Sequence, residues 1–284
     1  MIRRMFCITL IWAAAAVNAE PLLSEPEVVY RERQGLLALD RYLETWNTRS
    51  PERWITAMHF PHIRPGAGDF GISRTADDYL RGVDFDRTLA SGWRYTRWDD
   101  QRVIHVAPRK VHVSGWWHRF LEDGSTQMKG QMTYIVTEID GIWRIQLRFA
   151  AGPPNVDGVE AKESRQGALA AVSGYFEAVN SHDAATLANA VHYPHVRHGD
   201  DQAEWWMAED EFLAGPEPGR ARTWQRTRLL DAEVIQISRN GANVSVRFSR
   251  EATTGKGLGE YDAVMLATRR DGVWKIQALS TTGL

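Results

Sequence analysis

The sequence predicts an α+β protein built twice in tandem, each copy running helices first and strands after, and three observations lead there. Residues 38–64 and 171–197 share nine identities in 27 positions, without a gap, at an offset of 133. The copies also end alike: Asp140-Gly141-Ile142-Trp143-Arg144-Ile145-Gln146 matches Asp271-Gly272-Val273-Trp274-Lys275-Ile276-Gln277 at an offset of 131. Within each copy the apolar period changes from helical to alternating, and helices followed by strands in about 120 residues describe helices packed on one face of a sheet.

The first element is an export signal. Arg3 and Arg4 precede a charge-free apolar run from Met5 to Ala16, and Val17-Asn18-Ala19 offers small residues for cleavage, so residues 1–19 read as a signal peptide and the protein as periplasmic or secreted. The run is too short to span a bilayer, and no membrane span is expected after cleavage. The single cysteine, Cys7, lies within it, so the mature chain is expected to form no disulfide.

Domain 1 is expected over 30–150. Leu36, Leu39, Tyr42, Leu43 and Trp46 recur at helical spacing, and so do Leu169, Val172, Tyr175, Phe176 and Val179 in the second copy. Asn47 and Asn180 fall just past these helices, where asparagine tolerates the left-handed conformation that ends a helix. A short second helix is expected over Pro51–Met58 and over Ala184–Val191. Pro61 and Pro194 then push Phe60 and Tyr193 into an extended path. A third helix follows around Ala76–Arg81 and Glu209–Ala214. Strands are expected at about 101–107, 111–120 and 127–139. In the last strand Trp143, Ile145, Leu147 and Phe149 alternate with Arg144, Gln146 and Arg148, which predicts an apolar inner face and a polar outer one. Residues 151–162, rich in Pro, Gly and acidic side chains, read as a linker, and 163–284 as domain 2.

The Tyr-x-x-x-x-Asn opening helix, the break at His-Phe/Tyr-Pro-His and the closing Asp-Gly-Ile/Val-Trp-Arg/Lys-Ile strand resemble the nuclear transport factor 2-like (NTF2-like) superfamily, specifically its SnoaL-like members. The resemblance covers 38–150 and 171–282. It implies two tandem cone-shaped domains, each a curved antiparallel sheet packed on three N-terminal helices. Its members include enzymes, ligand binders and interaction modules, so fold alone supplies no activity.

The resemblance implies an oxyanion-donor role for Tyr42 and Tyr175 if the chain were a ketosteroid isomerase. The matching base would fall in Arg64–Gly68, which holds no carboxylate, or in Arg197–Asp201, where only Asp200 or Asp201 qualifies after a shift in alignment. The alternative for both tyrosines is packing beneath the sheet. His59 and His62, like His192 and His195, are three apart; on an extended chain such residues point to opposite faces, so no metal site is expected. They either work beside Tyr at a cavity mouth or cap exposed backbone. Arg64 and Arg197 either anchor an anion or form structural ion pairs. No phosphate loop, hydrolase triad or cofactor motif is visible, and no cofactor is expected.

The 34 basic and 36 acidic residues leave a formal charge of -2 with no long basic run, which argues against a nucleic-acid partner. Strand parity puts Val244, Val246 and Phe248 inside, and by the same offset Val113, Gly115 and Trp117, leaving His112, Ser114, Trp116 and His118 outside. A tether of about a dozen residues raises the effective concentration of one sheet near the other. A monomeric, intramolecular pseudo-dimer with Trp116 buried between its domains is therefore expected. The function expected is binding of a small, partly apolar molecule in a cone-shaped pocket lined by Tyr42, His59, His62 and Arg64 or by their counterparts Tyr175, His192, His195 and Arg197, with acid–base catalysis left open. The alternative is a non-enzymatic interaction or structural module using its sheet faces.

Overall fold

The computed structural model describes residues 23–199, 202–215 and 224–283. The segment expected to be an export signal, with Cys7, lies outside them, as do Asp200 and Asp201. Among the described residues no helix is long and apolar enough to cross a membrane.

Helix α1 (Glu25–Asn47) begins where the Glu27 carboxylate accepts the Ser24 N–H at 2.9 Å, with Pro26 in a first turn that does not need its missing N–H. Gly35, Ala38, Leu39, Tyr42, Leu43 and Trp46 form its buried stripe. A side chain at Gly35 would meet Val111 Cγ1 at 2.8 Å, so the absent Cβ sets how closely helix and sheet approach. Helix α2 (Pro51–Trp54) runs through a 3₁₀ turn (Ile55–Ala57) into strand β1 (Met58–Arg64), followed by β2 (Gly71–Ser73). Helix α3 (Ala76–Gly82) forms where expected, and a further helix, α4 (Phe85–Ala90), was not anticipated. Strands β3 (Tyr95–Ala107), β4 (Lys110–Phe120), β5 (Thr126–Ile139) and β6 (Ile142–Phe149) complete the domain.

The second copy repeats this order with α5 (Gly158–Ser181), α6 (Ala184–Asn189), β7 (Val191–His198), β8 (Ala203–Trp206), α7 (Glu209–Ala214), β9 (Arg226–Ile237), β10 (Gly241–Glu251), β11 (Gly257–Arg270) and β12 (Val273–Thr281). Helix α5 starts inside the expected linker, so the connection is shorter than 151–162.

The sheets run β2-β1-β6-β5-β4-β3 and β8-β7-β12-β11-β10-β9. They are mixed rather than purely antiparallel, because the strand that carries each His-Phe/Tyr-Pro-His motif joins the sheet parallel to the last strand, β1 on β6 and β7 on β12. The repeated Asp-Gly supplies the hairpin turn before that last strand. Asp140 and Gly141 have φ of 52° and 76°, and Asp271 and Gly272 of 50° and 82°, the left-handed pair that a two-residue hairpin with right-handed twist requires.

Two expectations need correction. Asn47 is the last residue of α1 and Asn180 lies within α5; the left-handed residues are Arg49 and His182, two positions on. The asparagines instead clamp the first long strand. Asn47 accepts the Thr96 N–H and donates to the Thr96 carbonyl, both at 2.9 Å, and Asn180 does the same to Thr227 at 2.8 Å. The strict alternation expected of β6 also fails. Pairing with β5 passes from Ile135–Leu147 to Val136–Ile145, which leaves Gln146 as an extra residue. This bulge reverses the parity: Ile145 faces the helices, Leu147 and Phe149 face away, and Arg148 points into the cone. Strand β12 bulges at Gln277 in the same way.

Each sheet curls around its own helices, and the two outer faces pack on each other. Ile63, Ile135, Leu147 and Phe149 meet Val196, Val264, Leu266 and Ala278 in one fully buried cluster. A polar belt surrounds it, with Asn243 Nδ2 donating to the Phe149 carbonyl at 2.9 Å and Gln236 Nε2 to those of Gly115 and Met132 at 3.1 Å. His112 Nε2 lies 2.9 Å from Ser280 Oγ, and His105 Nε2 2.9 Å from Ser245 Oγ. The parity expected for β4 holds, but Trp116 is not the anchor. It is half-buried, with its ring 5.1 Å from the Arg102 guanidinium.

Candidate functional site

Domain 1 contains a cavity of about 450 Å³ between its helices and the concave face of its sheet, within the range of small-molecule pockets. Its walls are aromatic. Trp54 from α2 stands 5.5 Å from Tyr42, and Tyr134 from β5 stands 5.8 Å from Tyr42 and 5.7 Å, edge-on, from Trp98. Trp117 and Arg119 of β4, Tyr79 of α3 and Phe85 of α4 close the circle.

Arg148 organises the floor. The Gln146 bulge turns it inward, where it is 5% exposed. Its Nε donates to His62 Nε2 at 2.9 Å, Nη2 to the Tyr79 hydroxyl at 3.0 Å and Nη1 to the Tyr42 hydroxyl. The guanidinium also lies 5.4 Å from the Tyr42 ring and 5.7 Å from that of Trp54. Burial opposes its charge, but the surrounding tyrosines favour it and the net shift is upward, so it stays a cation. Burial, reinforced by Arg148, holds His62 well below the usual histidine range. Because Nε2 accepts from arginine, which can only donate, the His62 proton belongs on Nδ1. Burial pushes Tyr42 up to about 12 despite the neighbouring cation. Both the Tyr42 and Tyr79 hydroxyls accept from Arg148 and keep their own O–H to give.

Of the residues expected at a site, Tyr42, His62 and Arg64 line this cavity and His59 does not. His59 Nε2 lies 2.9 Å from the Ile142 carbonyl, to which it donates, tying β1 to the β5–β6 hairpin. Arg64 stands at the mouth, paired with Asp69. Two carboxylates in the wall serve helix starts: Asp78 accepts the Arg74 and Thr75 N–H groups at 3.1 Å, and Asp84 that of Arg87 at 2.8 Å. His59 and His62 do not converge, and no group of three metal-ligating side chains occurs among the described residues.

The second copy places the counterpart residues differently. Tyr175 belongs to an apolar core with Phe176, Phe212, Phe248, Met265 and Leu279. His195 is buried between Trp206 and Phe212, at 5.8 Å and 6.0 Å, with neither ring nitrogen in a hydrogen bond of good geometry; burial and Arg197 lower it to about 3. His192 Nδ1 lies 2.9 Å from Thr268 Oγ1 of β11, and Arg197 is half-buried on β7. Register explains the contrast. Arg148 pairs with Tyr134 across β5–β6, and at the equivalent place Leu279 pairs with Met265. Trp98 pairs with Trp117, and Leu229 with Phe248. Tyr79, edge-on to His62, is matched by Phe212, edge-on to His195. Arg148, Tyr79 and Trp98 of the first cone are thus replaced by Leu279, Phe212 and Leu229 in the second, whereas Tyr42, His62 and Arg119 recur as Tyr175, His195 and Arg250.

Arg148, Tyr79, Tyr134 and Trp54 escaped notice in the sequence because identities between the copies drew attention, whereas here the differences matter; Arg119, matched by Arg250, lay outside the two gapless matches. The signal was present as Arg148 against Leu279, a charge facing an aliphatic residue at the shared offset of 131.

A family model described as NTF2-like protein (DUF6841) matches residues 36–151 and again 165–283. No curated protein matches the chain. Solved structures similar to single copies include an NTF2-like superfamily protein from Salmonella enterica (18% identity, 46% of this chain and 96% of that one, TM-score 0.37). Another is a ketosteroid isomerase-like protein from Erwinia carotovora (20% identity, 43% and 97%, TM-score 0.33). A third is the hexachlorocyclohexane dehydrochlorinase LinA-type3 from Novosphingobium barchaimii (15% identity, 43% and 88%, TM-score 0.37).

Proposed function

Because this chain belongs to the NTF2-like protein family (DUF6841), a membership carried by both of its halves, we propose that its two copies have divided the work: domain 1 binds a small, partly apolar molecule in its cone, and domain 2 is a solid partner. The observation that carries this reading is the paired contrast of Arg148 and Tyr134 lining a cavity with Leu279 and Met265 filling a core. The interaction-module alternative is less well supported, since the faces it would use are packed on each other within the chain.

The floor is better suited to holding a molecule than to moving its protons. The basic lone pair of His62 is taken by Arg148, and Asp78 and Asp84 are occupied at helix starts. We place the protein in the periplasm or medium as a monomer. Native mass spectrometry of material purified from its own host tests the reading. A retained small molecule that is lost in a variant with Gly115→Phe, whose side chain would enter the cone beside Trp98 and Tyr134, is expected. Recovery of the same molecule with that cone blocked would move the site elsewhere. Recovery of exported protein still carrying residues 1–19 would overturn the signal assignment.

A further inference from the structure

The floor of the domain 1 cavity is made of donors. Arg148 has five N–H groups, and His62, Tyr42 and Tyr79 take three of them. The remaining two sit on the terminal nitrogens. Because Tyr42 and Tyr79 accept from that guanidinium, their own O–H groups are left to donate, and a hydroxyl that accepts from a cation is a stronger donor for it. More unpartnered donors belong to side chains of the same wall: Trp54 Nε1, Trp98 Nε1 and Arg119 Nε are all buried without a hydrogen bond. Buried polar groups are ordinarily satisfied, and a surplus of one sign around one cavity is informative.

Charge tells the same story. Among the described residues no carboxylate pairs with Arg148 or Arg119; rings surround them, with Arg119 lying 5.2 Å from both Trp46 and Trp117. Buried charges are normally paired, and the two carboxylates in the wall are engaged by backbone N–H groups. The second copy supplies an internal control. Where its cone is filled, Leu279 stands in place of Arg148 and Phe212 in place of Tyr79, so the fold itself does not require that cation or that hydroxyl, whereas Arg119 recurs as Arg250.

We infer that the domain 1 pocket selects an organic anion, a carboxylate or an equivalent oxyanion on a flat apolar body. Its charged oxygens take the two free N–H groups of Arg148 and the hydroxyls of Tyr42 and Tyr79, and its body lies among Trp54, Trp98 and Tyr134. The inference rests on the small-molecule reading above and specifies its ligand class.

The test compares acids with their uncharged twins on the purified full-length mature protein. 2-Naphthoate and 2-naphthamide, then benzoate and benzamide, are titrated at pH 7.5 by calorimetry and by quenching of tryptophan fluorescence. Each acid is expected to bind at least tenfold more tightly than its amide. In Arg148→Met that ratio should fall to near one, and in Tyr79→Phe, which keeps the charge, acid binding should weaken several-fold while amide binding stays. Amides binding as tightly as acids to the wild type, or a ratio that survives Arg148→Met, would overturn the anion inference and leave the pocket reading standing. If neither pair binds, both fall. Should Arg148→Met fail to fold by circular dichroism, the wild-type ratio and Tyr79→Phe decide.

Discussion

Asn47 holds Thr96 by both ends of its backbone, accepting the N–H and donating to the carbonyl at 2.9 Å each. The last turn of the first helix is thereby fastened to the first long strand, and Thr96 in turn accepts from the indoles of Trp46 at 3.1 Å and Trp93 at 2.9 Å. Asn47→Ala should cost about 2 kcal/mol, from two lost bonds at roughly 1 kcal/mol each. Asn47→Gly should cost at least as much, measured by urea denaturation. A glycine variant as stable as wild type would restore the left-handed-cap role that the sequence suggested.

Tyr42 and Tyr175 occupy equivalent helix positions in unlike surroundings. Tyr42→Phe removes a hydroxyl from the floor of the cavity and should weaken 2-naphthoate binding by about tenfold, near 1.4 kcal/mol. Tyr175→Phe, in the filled core, should leave affinity unchanged. Equal effects from both, read by calorimetry, would place a second working pocket in domain 2.

The sheet-to-sheet seam should be acid-sensitive. His105, His112 and His198 lie within it, His105 Nδ1 being 3.0 Å from His112 Nδ1, and His198 Nε2 being 3.2 Å from Gln146 Oε1. Burial lowers all three. For His105, brought to about 4, Asp262 opposes the shift and Arg247 adds to it; for His112, His105, Lys110 and His198 add to it, and for His198, Lys110 does. The folded chain therefore binds fewer protons than the unfolded one, whose histidines titrate near 6.5. Stability should be flat above about pH 7 and fall from about pH 6.5 towards 4. His59, His62, His192 and His195 are shifted the same way and add to the slope. Denaturation at a series of pH values should show His112→Gln flattening that fall by about one proton. A profile identical to wild type would remove His112 from it.

Phe149 and Leu147 are fully buried in the seam, and Trp116 is half-buried outside that cluster. Phe149→Ala should cost about 3–5 kcal/mol and Leu147→Ala about 2–5, with one cooperative melting transition splitting into two as the domains uncouple. Trp116→Ala should cost less than about 1 kcal/mol. Calorimetric scans in which Trp116→Ala splits the transition and Phe149→Ala does not would reverse the assignment of the anchor.

The repeat, the order of elements and the inward face of β4 were legible because each rests on local pattern: nine shared residues, a change of period, and Val113 and Val244 at matched parity. The parallel docking of β1 on β6 was not, since it joins residues far apart in the chain. The bulge at Gln146 escaped for a sharper reason. One extra residue reverses every side chain after it, so a regular apolar alternation put Arg148 outside and the candidate site lost its central cation. Tyr42 and His62 were found because both copies keep them, although His62 proved to be an acceptor for Arg148 and His59 a tie between strands.

Fusing the two copies also changes what a mutation can do. In a dimer of identical single domains, an arginine-to-leucine change at the position of Arg148 would appear in both subunits and empty both cones of their cation. In this chain the same change is confined to one half, as Leu279 shows. One copy is thus free to lose chemistry without the molecule losing it, and the other can keep a hollow, poorly compensated interior because a well-filled neighbour braces its outer face. On the proposed division of work, covalent tandem linkage separates the inheritance of rigidity from the inheritance of the site.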